Sequence, residues 1–477
     1  MKVLLIIPPS EIFKKRNRNT IKKKVGLLPQ LGVLILGSVL EKKGDQVKII
    51  DGQLLDSTFK EIIEEINTFN PDIIGISFIT AQKFVADELI HKIKETSDHI
   101  IIVGGAHPTC FPEETIEKNK DIDILVFGEA EHTFPKIIKD LESKKSIKTV
   151  PGILFREKDK IIRNNQSNKV VDLDKLPFPA RHLLPINLYV PSPFENKKQP
   201  STSILVSRGC TYSKCTFCYR SSKMKRLYRC QSVKKTIAEI SHLKNKYNIE
   251  ELVFYDDDLL ANKRWVKRFC DEMLDSTMDI IWSFRGRPCN ANYDILKKAK
   301  QAGCWSIEIG FESGNQDLLD KIKKGITLEE SKNIVRWCNE LAIETVGTFI
   351  IALPGEDFKK GMNTINFAVQ ADCSYAAFIP THPAKGTPFY DQCLNEGEMV
   401  KEEYTKESKL SWFIPQVSYV PDGYKNKEHV EKLLKKAYLK FYLRPKYIFK
   451  HFMNIRTKYD INRYLNGIRF IIGVLKS

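Results

Sequence analysis

The first 145 residues alternate short apolar runs with longer segments in which apolar residues recur at helical spacing. The apolar runs, which are typical of buried strands, lie at 2–7, 47–50, 73–78, 100–103 and 124–126. The segments with helical spacing lie at 31–43, 59–69, 86–96, 113–118 and 133–141. Strands that alternate with helices predict an α/β domain with a doubly wound parallel sheet.

Polar residues and glycines follow these predicted strands, at the edge where doubly wound sheets bind their ligands. Paired glycines let a large flat ligand approach the backbone, and hydroxyl groups can bind a polar nucleotide tail. We interpret His107 as a loop histidine beside such a ligand and not as a metal ligand. The candidate binding residues are Asp51, Ser77, Thr80, Gly104, Gly105, His107, Gly128 and Glu129.

The next segment, 146–199, is rich in proline, which favours an extended and semi-rigid chain. We predict a linker here. Repeated strand and helix patterns resume at residue 200, with strand-like runs at 204–207, 252–255, 282–285, 306–309, 344–351 and 376–378. These runs predict a partial (β/α)6 barrel over 200–392, followed by a mostly helical C-terminal segment over 393–477.

Chemistry in such barrels lies at the carboxyl ends of the strands. The polar residues predicted there include Asp256, Asp257, Arg285, Glu312 and Ser313.

The 11 cysteines are an odd number in a large chain without signal-peptide features, which argues against a disulfide framework. Only Cys210, Cys215 and Cys218 form a cluster in the sequence. Three thiolates on one loop can bind three irons of a 4Fe–4S cluster and leave the fourth iron open. A structural zinc site needs four ligands, and Cys230 is the only spare cysteine nearby. The spacing therefore favours the iron–sulfur cluster.

The formal net charge is +17, and residues 424–477 carry 14 Lys and Arg against 3 Asp and Glu, or +11. Solvated faces explain most of this charge, and an acidic substrate or anionic lipid is an alternative. We expect no nucleic-acid partner, since no nucleic-acid-binding motif accompanies the charge. No apolar run reaches the ~18–20 residues of a spanning helix. We expect a cytoplasmic protein.

Three segments of the first domain resemble the cobalamin-binding domain of cobalamin-dependent radical S-adenosylmethionine (SAM) proteins. They are Leu28-Pro29-Gln30-Leu31-Gly32, Gly104-Gly105-Ala106-His107-Pro108-Thr109 and Gly128-Glu129-Ala130-Glu131. The resemblance implies that Leu31, Gly32 and the strand-end residues hold cobalamin. The motif Asp-x-His-x-x-Gly is missing, so the resemblance does not supply a histidine ligand to cobalt from that motif.

The cysteine loop, with Phe217 before its last cysteine, resembles the radical SAM signature. The usual spacing is C-x3-C-x2-C, whereas this chain has C-x4-C-x2-C, and we expect the added residue to bulge outward at the polar pair Ser213-Lys214. The resemblance implies that SAM binds the open iron, with Asp256, Asp257, Glu312 and Ser313 near its amine and ribose. Arg285 would pair with its carboxylate, and Tyr219 would pack its adenine.

The family resembled is of the class B radical SAM methyltransferase type. It implies methylation of an unactivated carbon with a 4Fe–4S cluster, SAM and cobalamin as cofactors. The implied partners are a small-molecule or lipid substrate and an external electron donor resembling flavodoxin or ferredoxin. Alternatives are cyclisation or oxidation without methyl transfer, a radical enzyme that has lost cobalamin, and a non-catalytic cobalamin sensor. The basic tail would enclose substrate, with weak membrane-surface contact as a further hypothesis.

Overall fold

The computed structural model describes residues 1–9, 24–158, 160–165, 170–192, 194–219, 224, 227–276, 278–400, 416–453 and a few positions between 455 and 468. The chain divides into two compact units, with residues 1–189 in the first and the described residues from 190 onward in the second. No described helix is both long enough and apolar enough to cross a membrane.

The first unit is built on a seven-stranded sheet with the order β3-β1-β4-β5-β6-β7-β8. Its strands are β1 (Lys2–Ile7), β3 (Gln46–Asp51), β4 (Ile73–Ser77), β5 (Ile100–Gly104), β6 (Ile124–Val126), β7 (Ile153–Glu157) and β8 (Lys160–Arg163), and a short β2 (Lys24–Val25) lies outside this sheet. Its helices are α1 (Leu31–Glu41), α2 (Gly52–Leu55), α3 (Phe59–Phe69), α4 (Lys83–Thr96), α5 (Ala106–Cys110), α6 (Pro112–Lys118) and α7 (Ala130–Glu142).

The five strands from β3 to β6 are parallel and confirm the predicted doubly wound α/β fold. Counted in chain order, they have the order 2-1-3-4-5 of flavodoxin-like sheets. Residues 3–7 of β1 are entirely buried, as expected for a parallel strand covered by helices on both faces. The crevice for a ligand in this topology lies where the strand order reverses, between β1 and β4.

The predicted linker, 146–199, is corrected by the structure, because much of it belongs to the fold of the first unit. The strands β7 and β8 extend the sheet in antiparallel pairing. Ile153, Leu154 and Phe155 are almost completely buried, and the free energy gained from burying them stabilises this extension of the sheet. Further along, the Ala180 N–H donates to the Leu34 carbonyl of α1 at 3.0 Å.

The second unit contains six parallel strands in the order β10-β13-β14-β15-β16-β17, in agreement with the predicted partial barrel. They are β10 (Ser201–Ile204), β13 (Glu251–Phe254), β14 (Ile281–Gly286), β15 (Cys304–Glu312), β16 (Glu344–Ile351) and β17 (Tyr375–Pro380). The helices along this part of the chain are α8 (Val233–Tyr247), α9 (Lys263–Asp275), α10 (Tyr293–Gln301), α11 (Gln316–Lys321), α12 (Leu328–Glu340) and α13 (Phe358–Ala371).

Shorter elements complete the second unit. The strand β9 (Tyr189–Val190) lies at the boundary, and β11 (Ser207–Arg208) pairs with β12 (Arg229–Cys230). The C-terminal part contains α14 (Pro388–Asn395), α15 (Lys427–Tyr442) and α16 (Pro445–Met453). It also contains the antiparallel pair β18 (Gly397–Met399) and β19 (Tyr419–Pro421), which was not predicted.

Candidate functional site

The three clustered cysteines lie on the loop that follows β11, and none of the three forms a disulfide. Cys215 is buried, whereas Cys210 and Cys218 are half-buried. The loop is fixed by backbone hydrogen bonds on both sides of Thr216, whose N–H donates to the Ile322 carbonyl at 3.1 Å and whose carbonyl accepts from Phe389 N–H at 3.2 Å. The cysteines therefore lie on a loop held by segments more than 100 residues away.

The residue added to the usual spacing is accommodated by an outward turn, as expected. Ser213 has a left-handed backbone conformation with φ of +44°. Its hydroxyl donates to the Cys210 carbonyl at 2.6 Å and closes the turn. Ser213 and Lys214 are both exposed, so the extra length projects away from the buried Cys215.

Two buried cations that the sequence analysis did not select lie beside this loop. Arg287 Nη1 lies 3.7 Å from Cys215 Sγ. Burial raises the pKa of the Cys215 thiol, while the positive charges of Lys324 and Arg287 act in the opposite direction. A thiol must lose its proton before it binds a metal, so these positive charges favour the thiolate form that acts as a ligand.

Glu312 forms an ion pair with Lys324, with Oε1 and Nζ 2.5 Å apart. The register between β15 and β16 shifts at Gly310 and Glu312, and Glu312 has a φ of +61°. Such a conformation is uncommon for a residue other than glycine. A Cβ atom at Gly310 would lie 2.5 Å from Glu312 Oε1, so glycine makes the room that the ion pair needs.

The carboxylate of Asp256 holds the backbone that leads into the cysteine loop. It is completely buried and accepts hydrogen bonds from Val206 N–H at 3.2 Å and from Ser207 N–H at 2.5 Å. Burial raises the pKa of Asp256 to about 7, although the hydrogen bonds from Val206 and Ser207 act to lower it.

Arg285 is also occupied within the protein. Its guanidinium donates to Glu308 at 2.8 Å and Glu195 at 3.3 Å, and it stacks on the ring of Tyr255 at 3.9 Å. Burial and the nearby Glu308 carboxylate raise the pKa of Glu195. The predicted pairing of Arg285 with the carboxylate of SAM thus competes with two carboxylates that it already binds.

Ser313 is fully buried, and its hydroxyl lies 3.2 Å from Thr364 Oγ1 and accepts from Asn315 N–H. These contacts tie the end of β15 to α13. Asp257 and Tyr219 are half-buried residues near the carboxyl end of β13 and at the end of the cysteine loop.

In the first unit, the predicted binding residues around His107 lie on two neighbouring segments at the carboxyl edge of the sheet, which begin at the ends of β4 and β5. His107 belongs to the short helix α5 and not, as predicted, to a loop. The ring of His107 lies next to the rings of Phe78 and Phe111, and its Nδ1 is 3.2 Å from Thr80 Oγ1. A Cβ atom at Gly105, which has a φ of +103°, would lie 2.9 Å from Ser77 Oγ. Glycine at position 105 therefore lets these two segments approach each other more closely than a residue with a Cβ atom would allow.

Other predicted residues of the first unit differ in how open they are. Gly32 is exposed at the start of α1, with no atom within 4 Å of the position of a Cβ, while its neighbour Leu31 is largely buried. Gly104 is half-buried. Gly128 N–H donates to Thr109 Oγ1 at 3.1 Å, and Glu129 precedes α7 as its N-cap residue.

Asp51 is tied to the fold of the first unit by several hydrogen bonds. It is buried, accepts from the N–H groups of Gln53 and Leu54 at the start of α2, and accepts from the Tyr189 hydroxyl at 2.6 Å. Because its oxygens are used in this way, we assign it to the fold of the first unit.

The residues present fit the two cofactor types that the sequence analysis suggested. In the first unit, His107 Nε2 is buried without a hydrogen-bond partner, and burial lowers the His107 pKa to about 4, so the ring is neutral. In the second unit, three cysteines without disulfide bonds share one loop, and the buried cations Arg287 and Lys324 lie beside it. The described residues contain no group of three or more His, Cys, Asp or Glu side chains that could hold a single metal ion. In an iron–sulfur cluster, by contrast, each cysteine binds a different iron.

A flavodoxin-like unit followed by six parallel strands and a three-cysteine loop defines a radical SAM enzyme with an additional ligand-binding domain. Family models support both parts: the B12 binding domain matches residues 20–138, and the radical SAM superfamily matches residues 204–368.

An uncharacterized methyltransferase of Pyrococcus horikoshii is 31% identical over 470 residues, which cover 98% of both chains. The anaerobic magnesium-protoporphyrin IX monomethyl ester cyclase of Synechocystis is 27% identical and covers 85% of this chain and 80% of the cyclase. Among solved structures, the radical SAM methyltransferase TsrM from Kitasatospora setae, with cobalamin and a [4Fe–4S] cluster bound, has a TM-score of 0.70 and 16% identity. The similarity covers 93% of this chain and 89% of TsrM.

This chain therefore belongs to the cobalamin-dependent radical SAM enzymes. Its cofactors are cobalamin, SAM and a 4Fe–4S cluster. Relatives in this family include methyltransferases and cyclases.

The sequence analysis missed Arg287, Lys324 and Tyr189. Two of them were visible as polar residues next to predicted strand-end motifs, in Arg285-Gly286-Arg287 and Lys323-Lys324-Gly325. Which of two nearby basic residues points toward the cysteines depends on the exact end of the strand, and sequence patterns locate strand ends poorly.

Proposed function

We propose that this enzyme transfers a methyl group to an unactivated carbon of its substrate. The observation that supports this most directly is the pairing of a cobalamin-type first unit with a three-thiol loop in the second unit. The Pyrococcus horikoshii relative, which matches along almost the whole chain, is named a methyltransferase.

In this proposal Cys210, Cys215 and Cys218 are the three protein ligands of the 4Fe–4S cluster. When bound, the cluster supplies the electron that cleaves SAM to a 5′-deoxyadenosyl radical, and cobalamin carries the methyl group. The chain contributes the fixed loop and the positive charge of Arg287, which lies beside Cys215 and offsets the negative charge of its thiolate.

For SAM we retain Glu312, Asp257 and Tyr219 as binding residues. Glu312 is a carboxylate at the carboxyl end of a barrel strand, and Lys324 fixes its position. Asp256 and Ser313 act beside them as supports, because their hydrogen bonds hold the β13 and β15 ends in place. Arg285 likewise supports the barrel interior through its pairs with Glu195 and Glu308.

For cobalamin we propose the loops at the carboxyl edge of the first sheet. The buried and neutral His107 is the polar group with an unused nitrogen there, and Gly32 leaves open space at the start of α1. The full proposed set is Leu31, Gly32, Ser77, Thr80, Gly104, Gly105, His107, Gly128 and Glu129.

The proposed partners are a small-molecule or lipid substrate and an electron donor of the flavodoxin or ferredoxin type. We also propose weak contact of α16 with an anionic membrane surface. Its inner face is fixed by Tyr447, whose hydroxyl donates to the Ser374 carbonyl at 3.0 Å. Its outer face exposes more than half of Ile448, Phe449, Phe452 and Met453, beside Lys446. An apolar helix face beside basic residues fits an anionic lipid surface.

Product analysis tests the proposed reaction. The full chain is reconstituted anaerobically with iron, sulfide and hydroxocobalamin, and then given SAM, reductant and candidate substrates. Methyl transfer is expected to yield both 5′-deoxyadenosine and S-adenosylhomocysteine. The cyclase among the relatives favours ring formation as a second candidate, and this would yield 5′-deoxyadenosine without S-adenosylhomocysteine. If neither 5′-deoxyadenosine nor S-adenosylhomocysteine is formed, both proposed functions are contradicted.

A ligand test accompanies the product analysis. Cys215→Ala is expected to lose the cluster absorbance and most of the bound iron. The matched control is Cys338→Ala, which removes a buried thiol from α12 and is expected to retain both. Full cluster content in Cys215→Ala would contradict the ligand assignment.

A further inference from the structure

Tyr212 lies in the cysteine loop, between Cys210 and the outward turn at Ser213. The Tyr212 ring lies over the guanidinium of Arg287, with Cζ 4.1 Å from the ring centroid. The ring also lies directly against Gly325, where a Cβ atom would fall 2.2 Å from the tyrosine oxygen. Tyr212 therefore covers Arg287 in a space that only a glycine leaves free.

Arg287 is held in one orientation by several contacts. Its Nη2 donates to the carbonyls of Lys324 at 2.5 Å and Gly325 at 3.2 Å. The backbone N–H of Arg287 donates to Asp258 Oδ1 at 3.2 Å. These bonds leave Nη1 directed at Cys215 Sγ, 3.7 Å away. The guanidinium also interacts with the thiol of Cys289.

The two cations near the loop differ in how their charge is compensated. Lys324 is paired with Glu312, so the pair has little net charge. Among the described residues, Arg287 is in no ion pair with a carboxylate, although it is only 7% exposed. A buried charge acts strongly on its neighbours, because little water screens it.

We propose that Arg287, clamped by Tyr212 over Gly325, donates a hydrogen bond to the Cys215 thiolate and raises the reduction potential of the cluster. The cluster gains one electron from an external low-potential donor, which makes it more negative. A nearby positive charge and a hydrogen bond to sulfur both favour that reduced form. The inference rests on the proposed role of Cys215 as a ligand.

The test is an EPR-monitored redox titration of the anaerobically reconstituted full chain, with iron content and cluster absorbance measured on the same samples. Arg287→Gln is expected to retain the cluster. At a fixed solution potential, the ratio of reduced to oxidised cluster in this variant is expected to fall about tenfold. This corresponds to a reduction potential about 59 mV lower for a one-electron couple. Arg287→Lys keeps the positive charge but lacks the guanidinium group with its two terminal nitrogens. Its reduction potential is expected to lie between those of Arg287→Gln and the native protein.

Two further variants separate the clamp from general damage. Tyr212→Ala is expected to shift the potential in the same direction as Arg287→Gln and by a smaller amount. Arg156→Gln is the control, because Arg156 also donates to backbone carbonyls but lies in the first unit. It is expected to leave the potential unchanged.

A native potential in Arg287→Gln at native cluster content would overturn the proposal. If Arg287→Gln binds no cluster, native potentials in both Arg287→Lys and Tyr212→Ala would overturn it as well. Failure of the ligand assignment is recognised separately, by full cluster content in Cys215→Ala.

Discussion

The carboxylate of Asp256 accepts hydrogen bonds from both the backbone N–H and the hydroxyl of Ser207, each at 2.5 Å. This contact joins the end of β13 to the strand that leads into the cysteine loop. The carboxylate is completely buried, so its protonation is linked to folding.

We expect Asp256 to make the folded protein less stable as the pH rises from about 4 to about 7. The pKa of Asp256 is raised from 3.8 to about 7 in the folded state, so the folded chain keeps a proton that the unfolded chain releases. Urea unfolding at several pH values should show this decline, and Asp256→Asn should reduce its slope. An unchanged slope in Asp256→Asn would assign the pH dependence to other groups, among which Glu356 also has a pKa raised to about 7.

Tyr189→Phe is expected to destabilise the first unit by about 1–3 kcal/mol, because it leaves a buried carboxylate oxygen of Asp51 without its hydroxyl donor. Urea denaturation followed by circular dichroism would measure the change. Tyr293→Phe is the control, since Tyr293 is 36% exposed and belongs to the second unit. Equal stability of Tyr189→Phe and the native chain would show that the hydrogen bond contributes nothing net.

His107→Ala is expected to weaken cobalamin binding by about tenfold or more, which is the size of effect for one lost hydrogen bond of about 1.4 kcal/mol. Titration with hydroxocobalamin, followed by absorbance after gel filtration, gives the affinity. The pKa of His107 is lowered to about 4, so the ring stays neutral and its contribution should be constant from pH 5.5 to 8.

The matched control for His107 is His91→Ala, because His91 lies on the surface of the same unit with a side chain 61% exposed. It should bind cobalamin like the native protein. Native affinity in His107→Ala would remove His107 from the cobalamin site.

The full chain is expected to float with vesicles that contain anionic phospholipid at low salt and to be released at high salt, since salt screens the basic surface. Phe449→Ser and Phe452→Ser together should abolish flotation. Leu274→Ser is the control, because it removes an exposed apolar side chain from α9, in another part of the same unit. No flotation of the native chain at low salt would contradict the membrane contact.

The order of strands and helices and the positions of the cysteines were predictable, because they depend on local periodicity and short spacing. The strands β7 and β8 were not, because their pairing with β6 is a long-range contact that the prolines around them conceal. The role of Arg285 was missed for a related reason. Alternation along β14 places Arg285 with Glu308 in the barrel, whereas Arg287, just beyond the strand end, reaches Cys215.

Asp51 and Asp256 illustrate a second limit. Both follow or end a strand at the edge where ligands bind, and both side chains are used by the protein itself. A sequence pattern locates a carboxylate at such an edge, but the partner that occupies it comes from a distant segment. Tyr189, for example, is 138 residues from Asp51.

The contact between Tyr212 and Gly325 also limits how this enzyme can vary. Any side chain at 325 would collide with the tyrosine ring, and would do so in a left-handed backbone conformation that favours glycine. A homologue without an aromatic ring at the position of Tyr212 would not meet this collision. We therefore expect the residues at 212 and 325 to change together among relatives, and grafts of the cysteine loop between family members to succeed only when both positions are exchanged.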